Sequence, residues 1–244
     1  ENFYAFKSIL PPREEQDRIV AFLDEKTVQI DDAIGIKEQQ IALLKERKQI
    51  IIQNAVTKGL NPNAPMKDSG VDWIGDIPSH WEIVRSKRLF MERKTKAPKG
   101  SKQLTASQKY GMIYQDEYME LEGRRVTQVM LNYNILKEVK AGDFVISMRS
   151  FQGGLEYSPC SGAASSAYLP IYPSREIADD YYKYLFKSSR YIEALSSTSN
   201  LVRDGQALRF DNFEMVDLLY PPLKEQREIA QFISDTIDAM AKVE

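Results

Sequence analysis

The chain has little cysteine, little histidine and no long apolar run, and each shortage excludes a class of protein. Cys160 is the only cysteine among 244 residues, which excludes an internal disulfide and a cysteine-based zinc site. No stretch of eighteen apolar residues occurs, so the sequence predicts no membrane span, and no signal peptide opens it. We therefore expect a soluble protein of the cytoplasm, without a cofactor or a bound metal.

Recognisable catalytic motifs are also missing. The sequence contains no Gly-x-x-x-x-Gly-Lys-Ser/Thr phosphate loop, no Gly-x-Gly-x-x-Gly and no Asn/Asp-Pro-Pro-aromatic motif of the kind that amino-methyltransferases use. The single histidine, His80, lies beside Trp81, where a structural role is expected. The 35 Asp and Glu side chains show no spacing that singles out a catalytic pair. No catalytic residue is predicted, and the chain is expected to be non-catalytic.

Proline is absent between Arg13 and Lys58, and Gly35 is the only glycine there, so the sequence predicts one long helix. Pro11-Pro12 before this stretch and Gly59 after it are start and stop signals. Stepping alternately by three and four residues from Val20 to Ala55 meets eight apolar residues in eleven positions, which is typical of a coiled-coil seam. A buried helix inside one globular core is the alternative. The predicted coiled-coil interface consists of Leu23, Ile30, Ile34, Ile41, Leu44 and Ile51.

The beginning of this stretch recurs near the other end of the chain. Residues 1–22 align without a gap on residues 211–232, and eight of the 22 aligned positions are identical. The shared pattern is Asn-Phe followed by Pro-Pro-x-x-Glu-Gln-x-x-Ile-x-x-Phe. A period of 210 residues is too long for a solenoid and indicates two whole domains in tandem, each followed by a long helix. We expect the chain to be part of a longer two-repeat polypeptide, or a half-length form of one.

The predicted fold class is α+β, with one mixed α/β domain and long helices that form an antiparallel coiled coil. Leu104–Tyr114 and Asp143–Met148 have the composition of strands, and Ile177–Lys187 has apolar residues at helical spacing. The regular βα alternation of a doubly wound sheet is absent. The predicted segments are an end strand and junction at 1–12, the long helix at 13–60, a linker at 61–80, the globular domain at 81–220 and the start of a second helix at 221–244.

Positive charge is concentrated in residues 85–109, although the whole chain has a net charge of -2. This basic segment holds nine basic side chains and one acidic side chain, Glu92. A solvated loop is one interpretation, and contact with DNA phosphates is the other. The predicted phosphate contacts are Arg85, Lys87, Arg88, Arg93, Lys94, Lys96, Lys99 and Lys102.

Polar and aromatic side chains in three stretches are candidates for reading base edges. Neutral donors and acceptors beside positive charge favour this function, because phosphate contacts alone carry no sequence information. The paired glycines Gly153-Gly154 would let the backbone approach a nucleic acid. For any single residue a purely structural role is an equal alternative. The candidates are Thr105, Ser107, Gln108, Lys109, Tyr110, Arg149, Ser150, Gln152, Arg203 and Arg209.

Taken together, these motifs resemble the specificity subunits of type I restriction-modification systems. The resemblance rests on the two Pro-Pro-x-x-Glu-Gln junctions and on Ser69–Trp81, which is similar to the linker that enters the second target-recognition domain. Gly142–Ser150 and the following Gln152-Gly153-Gly154 are further matches. The resemblance covers essentially the whole chain. It departs from the family in having one recognition domain and about one and a half helices.

The resemblance implies a DNA-recognition subunit whose target-recognition domain reads one half of a bipartite target, while the coiled coil spaces the halves. The implied partners are double-stranded DNA, the modification (methyltransferase) subunits and, through them, the restriction subunit. Methylation and cleavage would then belong to those partners. We expect this half-length chain to form a homodimer and to bind no membrane. A structural coiled-coil adaptor whose globular domain binds protein is the alternative from another class.

Overall fold

The long helix begins and ends where the sequence predicts. The computed structural model describes residues 9–123, 125–126, 135–148, 153–198 and 208–242, and in it helix α1 spans Arg13–Lys58. Two glutamates lie in its first turn and a lysine lies in its last turn. These charges interact favourably with the helix dipole, which is positive at the N-terminus and negative at the C-terminus. Gly59 takes φ +73°, and its N–H donates to the Ala55 carbonyl over 3.1 Å. Because this left-handed conformation suits glycine, the helix ends here. The prediction of one long helix is confirmed.

The chain divides into two units. The first is Glu1–Arg47 with Glu244, and its described helical part is residues 13–47 of α1. The second is Lys48–Val243, which contains the last turns of α1 and every described strand. Within the described ranges, no helix is both long and apolar enough to cross a membrane.

Short strands and short helices alternate irregularly in the second unit. Its strands are β1 (Met66–Asp68), β2 (Asp76–Pro78), β3 (Glu82–Arg85), β4 (Phe90–Glu92), β5 (Leu104–Ser107), β6 (Gly111–Tyr114), β7 (Lys137–Val139), β8 (Phe144–Ser147), β9 (Glu156–Tyr157), β10 (Gly162–Ala164), β11 (Tyr168–Pro173) and β12 (Asp217–Tyr220). Its further helices are α2 (Ser86–Leu89), α3 (Gln115–Glu122), α4 (Asp179–Leu185), α5 (Ser189–Ser197), α6 (Phe210–Glu214) and α7 (Leu223–Ala241). The predicted mixture of α and β structure is therefore present.

The largest sheet has the strand order β4-β11-β8-β9, and all of its pairings are antiparallel. Strand β12 pairs with β3, so that Leu219 lies opposite Ile83 and the end of the domain returns to its beginning. Strands β5 and β6 form a hairpin with Leu104 opposite Tyr114. Antiparallel pairing explains why the sequence lacks a regular βα alternation, since no crossover helices are needed.

An aromatic cluster centred on Phe90 fills the main core. The Phe90 ring lies 5.3 Å from Tyr182, 5.4 Å from Phe186, 5.7 Å from Phe144 and 6.0 Å from Phe213, measured between ring centroids. All five side chains are fully buried. Edge-to-face and tilted pairs of this kind add to the hydrophobic gain from burial. The cluster thereby joins a strand of the largest sheet to α4 and α6.

The last turns of α1 belong to this core. Ile52, Ala55 and Val56 are buried among its residues, and the Tyr181 hydroxyl donates to the Val56 carbonyl over 2.7 Å. Ala55 is the last position of the heptad pattern and lies beyond the predicted interface, which ends at Ile51, and here the domain core covers it. The heptad pattern shows that a residue on this face is apolar, but not whether a partner helix or the aromatic core of the domain covers it.

The second copy of the repeated motif is held by a buried glutamine. Gln226 is fully buried, its side-chain N–H donates to the Pro221 carbonyl over 2.8 Å, and its side-chain oxygen accepts the Ala178 N–H over 2.8 Å. In the first copy, the Gln16 side chain makes the same local bond to the Pro11 carbonyl over 2.7 Å. The Pro-Pro-x-x-Glu-Gln pattern therefore encodes a helix start that braces its own first turn.

The neighbouring glutamate fastens the linker to α7. The Glu225 carboxylate accepts the Trp81 indole N–H over 2.9 Å and lies 2.6 Å from the His80 ring nitrogen. Trp81 is fully buried, and its ring also packs against Gly59. The structural role expected for His80 agrees with this contact.

Gly154 allows a close approach inside the protein. Its φ is +79°, and a Cβ there would overlap the carbonyl oxygen of Phe186. The expectation that this glycine brings backbone close to a nucleic acid is replaced by this contact with the end of α4. The sequence shows that a side chain is missing, but not which group takes its space.

We predict that Gly154→Ala lowers the free energy of unfolding by about 3 kcal/mol or more, because left-handed strain and backbone overlap combine. Gly142→Ala is the matched control, since Gly142 also has a positive φ but has no neighbour within 4 Å of its Cβ position. That control should lose only about 1 kcal/mol. Urea unfolding measures both, and equal losses would contradict the contact.

Candidate nucleic-acid interface

The β5–β6 hairpin carries most of the described candidates for base reading. Leu104 and Met112 anchor the hairpin, because both side chains are buried in a second, smaller core with Val139 and Val145. Thr105 is only 8 % exposed. A side chain buried there does not reach a base edge, so Thr105 is removed from the candidate set.

The turn between the two strands is shaped by a side chain inside it. The Ser107 hydroxyl accepts the backbone N–H groups of Lys109 and Tyr110 over 3.3 and 3.4 Å. Gly111 then takes φ +70°, and a Cβ there would lie 2.6 Å from the Tyr157 carbonyl oxygen. The turn is therefore locked internally and packed tightly against β9, which leaves Gln108 and Lys109 exposed at its tip.

Two tip residues share one acidic partner on α3. The Lys109 ammonium lies 3.3 Å from the Glu122 carboxylate, and the Tyr110 hydroxyl donates to the same oxygen over 3.0 Å. The Lys109 ammonium also lies 4.7 Å from the centre of the Tyr110 ring. Contacts with Tyr110 and then Glu122 raise the pKa of Lys109. The Tyr110 hydroxyl is therefore already engaged, whereas the Lys109 side chain is 71 % exposed and its pair with Glu122 is screened by water.

A groove of about 380 Å³ runs beside the hairpin tip. Its walls are the turn on one side and β9 with the end of α4 on the other. Lys187 binds both oxygens of Glu156 over 2.7 Å, although Glu156 is only 5 % exposed. Burial raises the pKa of Glu156, and Lys187 opposes that shift.

Tyr157 forms the floor of the groove. Its hydroxyl donates to Asp179 over 3.0 Å, and the Lys183 ammonium lies 3.7 Å from the centre of its ring. Burial, followed by the charge of Asp179, raises the pKa of Tyr157 to about 12. The hydroxyl therefore stays protonated near neutral pH, and Lys183 in turn binds Asp180 over 2.6 Å.

Most of the basic segment is exposed, as an interface with phosphates requires. The seven exposed cations are Arg85, Lys87, Arg88, Lys94, Lys96, Lys99 and Lys102. Lys94 and Lys102 lie 3.6 and 3.8 Å from Glu92 and Asp116, but their side chains are 81 % and 64 % exposed. Water and salt screen such pairs, so these lysines remain available to a stronger anion.

Arg93 is the exception in this segment. Its guanidinium binds both oxygens of Asp143 over 2.7 and 2.8 Å and stacks 4.6 Å from the centre of the Tyr172 ring. The Asp143 side chain is 2 % exposed, and hydrogen bonding to Asp143 raises the pKa of Arg93. Because its hydrogen-bonding fork is occupied, Arg93 is removed from the predicted phosphate contacts and has a structural role.

The other predicted base readers are distributed unevenly. Arg149, Ser150, Gln152 and Arg203 lie outside the described residues. Arg209 is exposed immediately before α6, and its backbone N–H donates to Asn212 over 3.0 Å. Asn212 also donates to the Thr198 carbonyl over 2.7 Å. The second copy of the Asn-Phe pair is thus structural, with Asn212 bracing α6 and Phe213 in the core.

A sequence model of the type I restriction modification DNA specificity domain matches residues 78–243. The chain belongs to this family. It is 26 % identical over 238 residues to the MjaX specificity subunit of a putative type I restriction enzyme from Methanocaldococcus jannaschii. The aligned region covers 96 % of this chain and 53 % of that protein. It is 34 % identical over 87 residues to the MjaVIII specificity subunit of the same organism, over 36 % of this chain and 19 % of that protein.

Solved structures of type I systems have a similar fold. The HsdS subunit from Thermoanaerobacter tengcongensis superimposes with a TM-score of 0.52 at 16 % identity, over 96 % of this chain and 53 % of that one. A chain from structural work on complex assembly and conformational transition of the type I R-M system gives a TM-score of 0.61 at 17 % identity, over 96 % and 54 %. This specificity-domain chain therefore spans about half the length of each of those two chains.

Sequence reasoning about this specificity domain missed the groove residues. Glu156, Tyr157, Lys183 and Lys187 lie about 40 to 75 residues beyond the end of the hairpin at Tyr114 and have no shared motif. Only the antiparallel sheet and α4 bring them to the tip. The one available signal was Gly111, since a conformationally permissive residue inside a strand pattern indicates a close backbone approach.

We predict that Asp143→Asn lowers the free energy of unfolding by about 3 kcal/mol, because a partly buried guanidinium loses its charged partner. Glu228→Gln is the control, since among the described residues Glu228 forms an ion pair with Lys224 alone, and the Lys224 side chain is 86 % exposed. It should change stability by no more than about 0.5 kcal/mol. Urea unfolding distinguishes the two, and a small loss for Asp143→Asn would argue for leaving Arg93 among the phosphate contacts.

Proposed function

We propose that this chain recognises DNA, and that its domain reads one half of a bipartite target. The observation that carries the proposal is the match of residues 78–243 to the type I restriction modification DNA specificity domain. Because its relatives are described as specificity subunits of type I restriction enzymes, methylation and cleavage are assigned to partner subunits and the chain itself is non-catalytic. This function is favoured over a protein-binding adaptor, for which neither the comparisons nor the basic segment offers support.

The basic segment is assigned to the DNA backbone. Its seven exposed cations occupy residues 85–102, whereas Arg93 is already paired with Asp143. Exposed lysines and arginines neutralise phosphates and release counterions, which supplies affinity without sequence preference. If about four of them contact phosphates, affinity falls on the order of a hundredfold between 50 and 200 mM salt.

We predict that replacing Lys94, Lys96 and Lys99 together by glutamine weakens binding to all duplexes alike. The slope of log affinity against log salt should become flatter by roughly 2.7, because three phosphate contacts are lost. The control is the triple replacement of Lys26, Lys45 and Lys58, which are exposed on α1 and change net charge equally. Titration of labelled duplex at several salt concentrations measures both. An unchanged slope for the first variant would contradict the assignment.

The seam of α1 is assigned to self-association as an antiparallel coiled coil. Leu23, Ile30, Ile34 and Ile41 are 38 to 59 % exposed, which is unusual for a regular row of large apolar residues in water. A second copy of the same helix would cover this row through a twofold axis. Two recognition domains would then bind one duplex, and the helices would fix the number of unread bases between the half-sites.

A second apolar row on α1 supports docking of the modification subunits. Phe22, Ile36 and Leu43 recur at multiples of seven residues and are 56 to 64 % exposed. They lie about 130° around the helix from the middle of the seam, so a single coiled-coil partner does not cover both rows. Helices of a modification subunit are the proposed occupants, and the restriction subunit would join through them.

We predict that Leu44→Asp weakens the homodimer by about 2 kcal/mol or more, since a carboxylate would be buried in the seam without a partner. Leu43→Asp is the matched control, because it introduces the same charge one residue away on the second row. It should leave the dimer intact. Sedimentation at micromolar concentration measures both variants, and an unmodified chain that stays monomeric would refute the self-association.

A further inference from the structure

The hairpin tip contains one side chain whose hydrogen-bonding groups are uncommitted. Ser107 shapes the turn, whereas Lys109 and Tyr110 both contact Glu122. Gln108 is exposed, and within the described part of the chain its amide makes no hydrogen bond. Of the hairpin residues predicted to read bases, Gln108 is therefore the one that can form new bonds without breaking old ones.

A glycine from a distant part of the chain holds this amide in place. A Cβ on Gly153 would lie 2.7 Å from the Gln108 Nε2 atom and 2.8 and 2.9 Å from its Cγ and Cδ atoms. The Gln108 side chain therefore occupies the space that a side chain at position 153 would take. What the missing side chain provides is room for Gln108.

The surroundings favour a neutral ligand edge over a phosphate. Three lysines line the groove beside Gln108, and each has an acidic partner: Lys109 with Glu122, Lys183 with Asp180, and Lys187 with Glu156. Local charge is therefore balanced there, whereas among the described residues only two of the seven exposed cations of the basic segment, Lys94 and Lys102, have an acidic partner. A primary amide presents one donor and one acceptor side by side. In the major groove, adenine offers the complementary pair, the N7 acceptor and the N6 donor.

We propose that Gln108 reads an adenine of the half-site in the major groove, and that Gly153 is the positioning residue that presents its amide. This inference rests on the proposed DNA-recognition function and deepens it by naming one base. Gln108 and the basic segment have different effects on binding. Loss of Gln108 removes discrimination between bases at one position of the target and leaves the contacts with the DNA backbone in place.

The first experiment selects duplexes from a random library with the full chain and sequences them, followed by titration of the selected site. Gln108→Ala should lose preference for adenine at one position, with affinity for the selected site falling roughly 5- to 150-fold and affinity for random DNA unchanged. Gln108→Glu should move the preference at that position from adenine to cytosine, since a carboxylate accepts from the cytosine N4 amine. Gln39→Ala, an exposed glutamine on α1, is the control and should change nothing.

The second experiment tests the role of Gly153. Gly153→Ala displaces only a flexible side chain, so the fold should be retained while adenine preference at the same position falls. In a chain already carrying Gln108→Ala, Gly153→Ala should have no further effect, because the group it displaces is gone. A purely structural role would instead give the same loss in both backgrounds and would weaken random binding too.

The outcomes separate this inference from the function on which it rests. If the unaltered chain selects a site and Gln108→Ala selects the same site, the inference is overturned and DNA recognition stands. A Gln108-dependent base other than adenine also overturns it. If the unaltered chain enriches no sequence at all, the proposed DNA-recognition function is contradicted, and the inference about Gln108 is contradicted with it.

Discussion

The buried amide of Gln226 is the contact on which the rest of the domain depends. It joins the junction before α7 to the N–H of Ala178, immediately before α4, and an unpaired amide at this depth would cost about 1 to 3 kcal/mol. The far end of α4 then supplies Phe186, whose carbonyl meets Gly154. Strand β9 follows Gly154 and meets the hairpin at Gly111. A series of contacts therefore connects the repeated junction to the hairpin tip and fixes the position of that tip.

The two copies of that junction separate local structure from burial. Gln16 and Gln226 make the same bond to the carbonyl five residues earlier, so the motif fixes the helix start in both copies. Ile19, however, is 45 % exposed, whereas its counterpart Ile229 is 1 % exposed. The same residue type at the same helical position is buried only where a domain lies against it. The motif therefore determines where a helix begins, and tertiary contacts determine which of its faces is covered.

What the sequence could predict follows from this distinction. The bounds of α1 and the positions of the hairpin, β8 and α4 depend on nearby prolines, glycines and apolar spacing, and local patterns report these directly. The pairing of Arg93 with Asp143 joins residues 50 positions apart. Composition shows only that Arg93 lies in a basic segment, so the sequence predicts that Arg93 contacts a DNA phosphate. Gly154 was assigned to DNA for a similar reason, because a glycine reveals a need for space but not its occupant. For the groove beside the hairpin, Gly111 indicates only a close backbone approach and not the residues that form the other wall, since that wall exists only after β9 and α4 have packed.

The central claim is that this domain specifies one half of a split DNA target. The most direct test is to map methylated positions in the genome of cells that express a type I modification system containing this chain, before and after residues 78–220 are replaced by another specificity domain. The account predicts a methylated motif in two parts separated by a fixed number of unread bases, with replacement altering the part read by this domain. A continuous motif, or one that replacement leaves unchanged, would contradict it.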